Sequence, residues 1–168
     1  MIETKRLIIK PLSYQQLVKY TKCDNSLEEE LNVQSSTRTI APELKEALEQ
    51  TILPNVADTT KDYLYSTLWT IISKDENKMV GDLCFVGGVN SVGEIEIGYG
   101  TYEEFQKKGF MTEAVGGMIA WAKSQPKIFS IIASTEKENI GSFTILLKNH
   151  FLKIGETKTL IHWKLNLK

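Results

Sequence analysis

The sequence is poor in cysteine, in net charge and in long apolar runs, and each shortage excludes a class of protein. Its two cysteines, Cys23 and Cys84, are too few and too isolated for a disulfide framework or a cysteine metal cage, so we interpret both as reduced thiols. The 20 Lys and Arg residues nearly balance the 21 Asp and Glu residues, and the formal net charge of -1 suggests neither a nucleic acid nor an anionic membrane as partner. No run approaches the roughly 20 apolar residues that cross a bilayer, and no signal peptide is visible. We therefore expect a cytoplasmic protein without a metal ion.

What is present is ordinary globular composition. Hydrophobic residues make up 42% of the 168 residues and charged residues 24%, and this length can bury a sizeable core. No low-complexity or linker-like segment divides the chain, and no internal repeat is visible. We expect a single domain over residues 1–168.

Strand-like and helix-like patterns alternate along this domain. Glu94–Tyr99 alternates strictly, with Glu94 and Glu96 on the face opposite the apolar side chains. Pro42 suits the first position of a helix, which we expect to end at Pro54. Predicted strands cover residues 6–12, 68–72, 79–86, 94–99, 128–133 and 161–167, and helices begin near residues 13, 42, 110 and 140. The order β-α-α-β-β-β-α-β-α-β predicts an α/β (α+β) fold.

The stretch from Glu103 to Ala114, E-E-F-Q-K-K-G-F-M-T-E-A, places a glycine-containing turn between a predicted strand and a predicted helix. The first N–H groups of a helix have no internal partner, and the helix dipole adds positive potential there, so such a turn suits a phosphate. Gly109 lets the main chain approach the anion, while Lys107 and Lys108 add cations. From spacing alone, a solvated turn in which Gly109 only satisfies geometry is the simpler interpretation.

Three segments, in order and spread over nearly the whole chain, carry a family resemblance. Glu96–Tyr99 followed by Gln106–Ala114 is similar to a loop of the form Gln/Arg-x-x-Gly-x-Gly/Ala, commonly followed by Thr-Glu-Ala. That loop is the acetyl-CoA signature of the GNAT superfamily of N-acetyltransferases. Thr4–Leu12 resembles the first strand of the branch with the ribosomal-protein N-terminal (RimJ/RimL-like) acetyltransferases, and Asn139–Ser142 resembles that branch's penultimate helix.

The resemblance implies a fold and a cofactor. The fold is a central mixed, mostly antiparallel sheet of six to seven strands with helices on both faces, in which the fourth and fifth strands, ending near Tyr99 and Ala133, splay apart. Acetyl-CoA lies in this gap, its pantetheine arm pairing with exposed main chain as an added strand does, and main chain near Tyr99 also binds the thioester carbonyl. The residues that the resemblance assigns to acetyl-CoA or coenzyme A are Tyr99, Gly100, Thr101, Gln106, Lys107, Lys108, Gly109, Phe110, Met111, Thr112, Asn139 and Ser142.

The implied reaction is transfer of acetyl to a primary amine, either a protein N-terminus or a small amine, by direct attack in a ternary complex. A base must deprotonate the amine, and Glu96 matches the family's strand glutamate, with Glu94 as the second candidate. Either glutamate could equally meet a lysine or solvent. Ser142 matches a position near the thioester sulfur, whereas Leu146 stands where many members place a tyrosine, so that acid is missing.

Two residues depart from the family pattern. Met111 replaces a Gly or Ala, so that either the loop widens or the methionine turns into the core. His150 replaces the Gly that usually ends the helix before an aromatic residue, and we expect Asn149 to take the left-handed capping conformation instead. His150 is then a surface or packing residue.

The sequence does not identify the acceptor. We expect its cavity opposite the cofactor, among the first two helices and the segment before Trp69, where Asp24 and Glu28–Glu30 form either an acidic lip or a solvated helix face. The rival interpretations are a catalytically weak or inactive CoA-binding module and a domain that binds another phosphate-bearing ligand. Since dimers are common among similar proteins, a homodimer is also an expectation.

Overall fold

An open sheet of eight strands forms the centre of the computed structural model, which describes Met1–Lys168. The strands are β1 (Ile2–Glu3), β2 (Leu7–Pro11), β3 (Leu68–Ser73), β4 (Lys78–Val86), β5 (Glu94–Thr101), β6 (Ser130–Glu136), β7 (Leu152–Glu156) and β8 (Leu160–Asn166). They are ordered β1-β2-β3-β4-β5-β6-β8-β7, and every neighbouring pair is antiparallel except β5 with β6. The predicted mixed, mostly antiparallel sheet is confirmed.

Helices cover both faces of this sheet. They are α1 (Tyr14–Lys22), α2 (Ser26–Glu30), α3 (Pro42–Ala47), α4 (Leu53–Ala57), α5 (Phe110–Ser124) and α6 (Ile140–Lys148). α1 begins with a capping box, in which Ser13 Oγ accepts from Gln16 N at 3.2 Å and the Gln16 side chain accepts from Ser13 N at 3.0 Å. α3 begins at Pro42, as predicted.

The predicted end of this second helical region at Pro54 is wrong. A π turn over Leu48–Ile52 joins α3 to α4, and Pro54 lies in the first turn of α4, which ends at Ala57. The chain stays helical up to the proline, since Leu53 N donates to the Leu48 carbonyl, and the π turn changes the hydrogen-bond pattern just before the residue that has no N–H to donate.

Each face has its own hydrophobic cluster. The larger contains 23 buried residues and joins α5 and α6 to the sheet through side chains such as Ile95, Ile97 and Met118. The smaller contains nine, and joins the layer of α1–α4 to the sheet through side chains such as Leu17 and Leu68. The strict alternation predicted for β5 is confirmed, since Ile95 and Ile97 are buried in the larger cluster.

The sheet opens between β5 and β6. These strands pair only over Glu94–Glu96 and Ser130–Ile132, although β5 continues to Thr101 and β6 to Glu136. On its other side β5 stays paired with β4 through Thr101. The main chain of Ile97–Thr101 therefore faces a widening gap, which confirms the predicted splay.

The remaining differences lie at element ends. The short β1 and the edge strand β7 were not predicted, and the register of β7 with β8 shifts between Lys153 and Gly155. β6 begins at Ser130 rather than at residue 128. The residue with left-handed φ after α6 is His150, at 66°, and not Asn149, at -95°, so the prediction that Asn149 caps the helix in this conformation is wrong.

Candidate active site

The N-terminus of α5 carries a run of backbone donors without protein partners. None of the six N–H groups from Lys107 to Thr112 donates to a backbone carbonyl, and no side chain caps the helix. The first helical bond runs from Glu113 N to the Gly109 carbonyl at 3.2 Å. Lys107 and Gly109 both have positive φ, at 62° and 78°. A run of unpaired N–H groups at a helix N-terminus binds anions well, so this loop fits a pyrophosphate.

The Met111 side chain turns into the core. It is 3% exposed and packs beside Gly81, where a Cβ would lie 3.2 Å from the Met111 Cε atom. The methionine therefore leaves the loop unblocked, and of the two arrangements that the sequence left open, the inward one is found.

The two lysines of the loop have different surroundings. The Lys108 ammonium lies 3.6 Å from a Glu76 carboxylate oxygen and 5.0 Å from the centre of the Phe105 ring. Lys107 is exposed and forms no ion pair with the protein. Lys107 is therefore the cation of this loop that remains available to an anionic ligand.

A clamp from the N-terminal segment holds the start of α5, and sequence reasoning missed it. Glu113 accepts hydrogen bonds from Thr4 Oγ1 at 2.6 Å, from Arg6 N at 2.7 Å and from Arg6 Nε at 2.6 Å. Arg6 Nη1 also donates to the Lys108 carbonyl at 3.0 Å. Burial would raise the pKa of Glu113, but the bonds from Thr4 and Arg6 outweigh it and hold the pKa below its ordinary value. These hydrogen bonds thus join Thr4–Leu12 to Gln106–Ala114, two of the segments that resemble the family.

The N-terminus of α6 lies across the gap from β5. The Tyr99 hydroxyl donates to the Ser142 carbonyl at 2.7 Å, and burial raises the pKa of Tyr99. Asn139 Oδ1 accepts from Ser142 N at 3.1 Å, so Asn139 is the N-cap of α6. Ser142 is half-buried in the first turn of this helix. Leu146, where relatives place a tyrosine, is fully buried in the core.

A cleft of about 1190 Å³ lies on the α1–α4 face of the sheet, in the region where we expected the acceptor. One wall is formed by residues 98–106, which include the predicted thioester region at Tyr99–Thr101, and the other by residues 37–44. The cleft thus adjoins the main chain expected to hold the pantetheine arm.

A buried carboxylate on the wall of this cleft was also missed by the sequence. Asp82 is 4% exposed, and its Oδ2 atom accepts hydrogen bonds from the hydroxyls of Tyr20 at 2.6 Å and Tyr102 at 2.7 Å. Burial raises the pKa of Asp82 to about 6, although both hydroxyls and the nearby Arg38 lower it. The pKa of Tyr20 is raised by burial and by the Asp82 charge. At neutral pH the cluster therefore holds an ionised carboxylate and neutral phenols.

The three carboxylates and the thiol on this face differ in their surroundings. Glu94 is bonded to Lys164 and, at 3.3 Å, to Asn90 Nδ2, so this second candidate for the base is engaged in structural contacts. Glu96 is half-buried, forms no ion pair and lies near Cys84. Burial, then the charges of Asp82 and Glu96, raise the pKa of the Cys84 thiol to about 11. Cys84 is therefore a neutral thiol at physiological pH.

Two glutamates of the acidic segment after α1, Glu28 and Glu30, lie in different surroundings. Glu30 is exposed and pairs with Lys19 at 2.5 Å, which fits a solvated helix face. Glu28 is not part of that face, because its side chain is 2% exposed and pairs with Arg38 at 3.4 Å. Arg38 lines the cleft and stacks on the Tyr20 ring, with 4.1 Å from its Cζ atom to the ring centre.

Two further findings concern metal ions and membrane-spanning helices. No group of three or more His, Cys, Asp or Glu side chains is arranged to hold a metal ion. None of the helices has both the length and the apolar character needed to traverse a bilayer.

Comparison with known proteins agrees with this geometry. The acetyltransferase (GNAT) domain family matches residues 6–152. A Bacillus subtilis (strain 168) protein, the uncharacterized N-acetyltransferase YjdG, is 28% identical over 166 residues, or 97% of this chain and 96% of that protein. The ribosomal-protein-S5-alanine acetyltransferase from Vibrio fischeri superposes with a TM-score of 0.72 at 20% identity, over 99% of this chain and 96% of that chain. The ribosomal L7/L12 alpha-N-protein acetyltransferase RimL, solved with coenzyme A, gives a TM-score of 0.67 at 15% identity, over 97% and 95%. Because the family match spans most of its residues, this chain belongs to the GNAT acetyltransferase family.

Proposed function

We propose that this chain is an acetyl-CoA-dependent N-acetyltransferase that acts on a primary amine by direct attack in a ternary complex. The observation that carries the proposal is the run of six unpaired N–H groups at Lys107–Thr112. This loop lies beside the gap between β5 and β6, and the cleft lies against β5 on the α1–α4 face of the sheet. An anionic cofactor and an amine can thus approach the same stretch of β5 from two directions.

The residues of the chain fit acetyl-CoA, which supplies the acetyl group as a thioester. The N–H groups of Lys107–Thr112 hold the pyrophosphate, with Lys107 as a supporting cation and Gln106 at the entrance to the loop. The main chain of Tyr99–Thr101 pairs with the pantetheine arm, and its N–H groups stabilise the negative charge that develops on the carbonyl oxygen. Asn139 and Ser142, at the start of α6, flank the sulfur end.

Proton transfer is assigned to two side chains. Glu96, which has no cation partner, takes the proton from the amine nitrogen, directly or through a water molecule. Ser142 donates a hydrogen bond to the sulfur as it departs with the electron pair. Since Cys84 is neutral at physiological pH, it is a poor nucleophile, and this supports direct attack over an acetyl-cysteine route.

The acceptor class is a protein N-terminus or a small amine. One solved neighbour is named a ribosomal L7/L12 alpha-N-protein acetyltransferase and the other a ribosomal-protein-S5-alanine acetyltransferase, and the cleft of about 1190 Å³ is large enough for several residues of an extended peptide. A carboxylate on the wall of that cleft suits a cationic acceptor.

A CoA-binding module without transfer activity is the second candidate. The observation that favours it is the buried Leu146, since the tyrosine that many relatives place there is absent. Met111 does not favour this candidate, because its side chain leaves the loop open.

Two measurements separate these candidates. Ligand that binds only the folded protein stabilises it by about 2.7 kcal/mol at 100 times its dissociation constant, so CoA and acetyl-CoA should raise the melting temperature. Thiol release from acetyl-CoA is then followed with a hexapeptide that has a free N-terminal serine, with spermidine and with kanamycin. Release with at least one amine supports the enzyme, binding without release supports the module, and no binding contradicts both.

The role of Glu96 is tested by Glu96→Gln. Because the substitution keeps the size and removes the base, we expect kcat to fall at least about 100-fold while CoA affinity changes little. Glu94→Gln, on the same face but bonded to Lys164, is the matched control and should retain turnover. Wild-type turnover in Glu96→Gln between pH 6 and pH 9 would remove Glu96 from the mechanism.

A further inference from the structure

We propose that Asp82, with Tyr20 and Tyr102, is the binding site for the ammonium group of the acceptor. This inference rests on the proposed function, since it gives the substrate of that reaction a recognition residue. It also separates two roles, because Asp82 holds the protonated amine, whereas Glu96, whose register partner Val86 lies four residues along β4 from Asp82, takes the proton through intervening water molecules.

One oxygen of the Asp82 carboxylate has no hydrogen-bond partner. Oδ2 of Asp82 accepts from both tyrosine hydroxyls, whereas Oδ1 is buried and accepts no hydrogen bond. Thr70 lies opposite Asp82 across the β3–β4 pair and is near enough to lower the pKa of Asp82, but neither Thr70 Oγ1 nor Asp82 Oδ1 has a partner within hydrogen-bond geometry. A buried carboxylate oxygen without a hydrogen-bond donor destabilises the folded protein. Its position on the wall of a cleft therefore indicates that the ligand supplies the donor.

The charges around Asp82 do not balance. The other buried ions of this region, Glu28 and Arg38, form a pair with side chains that are 2% and 1% exposed, and so neutralise each other. Arg38 also donates to the Tyr20 carbonyl at 2.6 Å. No Lys or Arg pairs with Asp82. The cluster therefore has one negative charge in excess when Asp82 is ionised, and a single cation completes it.

The cleft has open space beside the Asp82 carboxylate. Asp82 is the register partner of Gly100 on β5, and their side-chain positions share one face of the sheet. A Cβ added at Gly100 would meet no atom within 4 Å. An alkyl chain can therefore lie over Gly100 with its nitrogen at Asp82, next to the main chain proposed to hold the thioester.

These features select the class of ligand. A primary ammonium has three N–H donors, which match the free Oδ1 and the lone pairs of the two phenol oxygens. A quaternary ammonium has no donor for these oxygens. A metal ion is disfavoured because one carboxylate and two neutral phenols do not form the multi-carboxylate set that hard cations require. The site is thus fitted to an acceptor that carries a terminal ammonium group.

The test measures amine binding separately from turnover. The free-serine hexapeptide, spermidine and kanamycin are titrated calorimetrically into CoA-saturated wild type, Asp82→Asn and Glu43→Gln at pH 7.5. Glu43 lines the same cleft from α3 and is exposed, so it controls for a general loss of negative charge. We expect at least one probe to bind the wild type, to bind Asp82→Asn at least about 30-fold more weakly, and to bind Glu43→Gln within about threefold of the wild type.

A neutral analogue distinguishes recognition from a structural effect. The same hexapeptide with a hydroxyl in place of its amino group should bind the wild type at least about 30-fold more weakly than the amine, and this preference should vanish in Asp82→Asn. A purely structural role would weaken both peptides equally and keep the preference, which would overturn the proposal. Equal affinity of wild type and Asp82→Asn for every amine, or no binding of any probe to the wild type, would overturn it as well.

Failure of the proposed function would be visible separately. If CoA does not bind the wild type, that function fails, and the same titrations into the ligand-free protein still decide whether Asp82 selects amines. If CoA binds normally and only the amine preference is absent, the acetyltransferase proposal stands and the ammonium site fails.

Discussion

Because Asp82 is buried, its ionised form lowers the stability of the folded protein. Burial raises its pKa from the ordinary 3.8 to about 6, and the donors Tyr20 and Tyr102, the charge of Arg38 and the proximity of Thr70 offset only part of this. The folded protein therefore binds the Asp82 proton more tightly than the unfolded chain does. Stability falls as pH rises from 3.8 through about 6, and the loss persists at higher pH. This raised pKa corresponds to roughly 3 kcal/mol.

Asp82→Asn should accordingly stabilise the protein at neutral pH. The amide keeps the shape and still accepts from both tyrosines, but it carries no charge. We expect a free energy of unfolding up to about 3 kcal/mol above the wild type at pH 8, with the gain shrinking toward zero at pH 4. Urea unfolding at unit steps of pH measures it, with Glu43→Gln as the exposed control. A wild type more stable than Asp82→Asn at pH 8 would show that the carboxylate stabilises the fold.

The sequence did not predict the residues that shape the acceptor side. Tyr20 and Asp82 are 62 residues apart and Arg6 and Glu113 are 107 apart, so their contacts depend on strand order and register. Asp82 also lies in a strand where a single polar residue is unremarkable. By contrast, the loop around Gly109 was predicted as an anion-binding turn because it is formed by consecutive residues.

In the proposed cofactor site, affinity for CoA depends on the N-terminus of α5. Gly109 adopts φ 78°, which a β-branched residue rarely adopts, and a Cβ there would lie 3.3 Å from Arg6 Nη2. We expect Gly109→Val to weaken CoA binding at least about 100-fold, whereas Lys107→Ala should cost about three- to tenfold, because backbone donors hold most of the anion. Titration calorimetry measures both affinities.

Lys108→Ala supplies the matched control for this series, since the Lys108 ammonium already lies near Glu76. Its effect on CoA affinity should be smaller than that of Lys107→Ala. If all three substitutions weaken CoA equally, side-chain charge, and not the backbone, determines affinity.

The Glu113 clamp makes the start of α5 depend on the N-terminal segment. Glu113→Ala removes three hydrogen bonds, and one of them satisfies the Arg6 backbone N–H. We expect it to lower the free energy of unfolding by about 1–3 kcal/mol at pH 7 and to weaken CoA binding, because Arg6 also holds the Lys108 carbonyl. Since the pKa of Glu113 is held below 4.5, this stabilisation is present above pH 4.5 and is lost as pH falls below it.

Chemical unfolding at pH 7 and at pH 3 checks this, and the difference between Glu113→Ala and wild type should narrow at the lower pH. Glu3→Ala is the control, because Glu3 lies on the same N-terminal segment but its side chain is 58% exposed and its pair with Lys74 is a surface contact. An equal cost for both substitutions at pH 7 would mean that the clamp is no stronger than a surface pair.

At the scale of the whole molecule, the two faces of the sheet carry different hydrophobic clusters and different candidate sites. The α5–α6 face carries the larger cluster and the loop proposed to bind the pyrophosphate, while the α1–α4 face carries the smaller cluster and the cleft proposed for the acceptor. The core strands were predictable as segments along the chain because alternation and apolar runs are local signals, whereas the arrangement of the sheet was expected only from the family resemblance. The path from Leu31 to Ile40, which supplies Arg38, was not predictable, because it has no regular secondary structure and is held by contacts such as that with Glu28.

This division predicts unequal stability of the two layers. Nine buried residues join α1–α4 to the sheet against 23 on the other face, so the α1–α4 layer should open at a lower free energy than the core strands do. Leu17→Ala, in the smaller cluster, should speed hydrogen exchange mainly in α1–α4, whereas Val115→Ala, in the larger, should speed exchange throughout the sheet and α5. Exchange is followed by mass spectrometry of peptides. Uniform acceleration by Leu17→Ala would show that the layers unfold as one unit, and that acceptor entry does not involve separate opening of α1–α4.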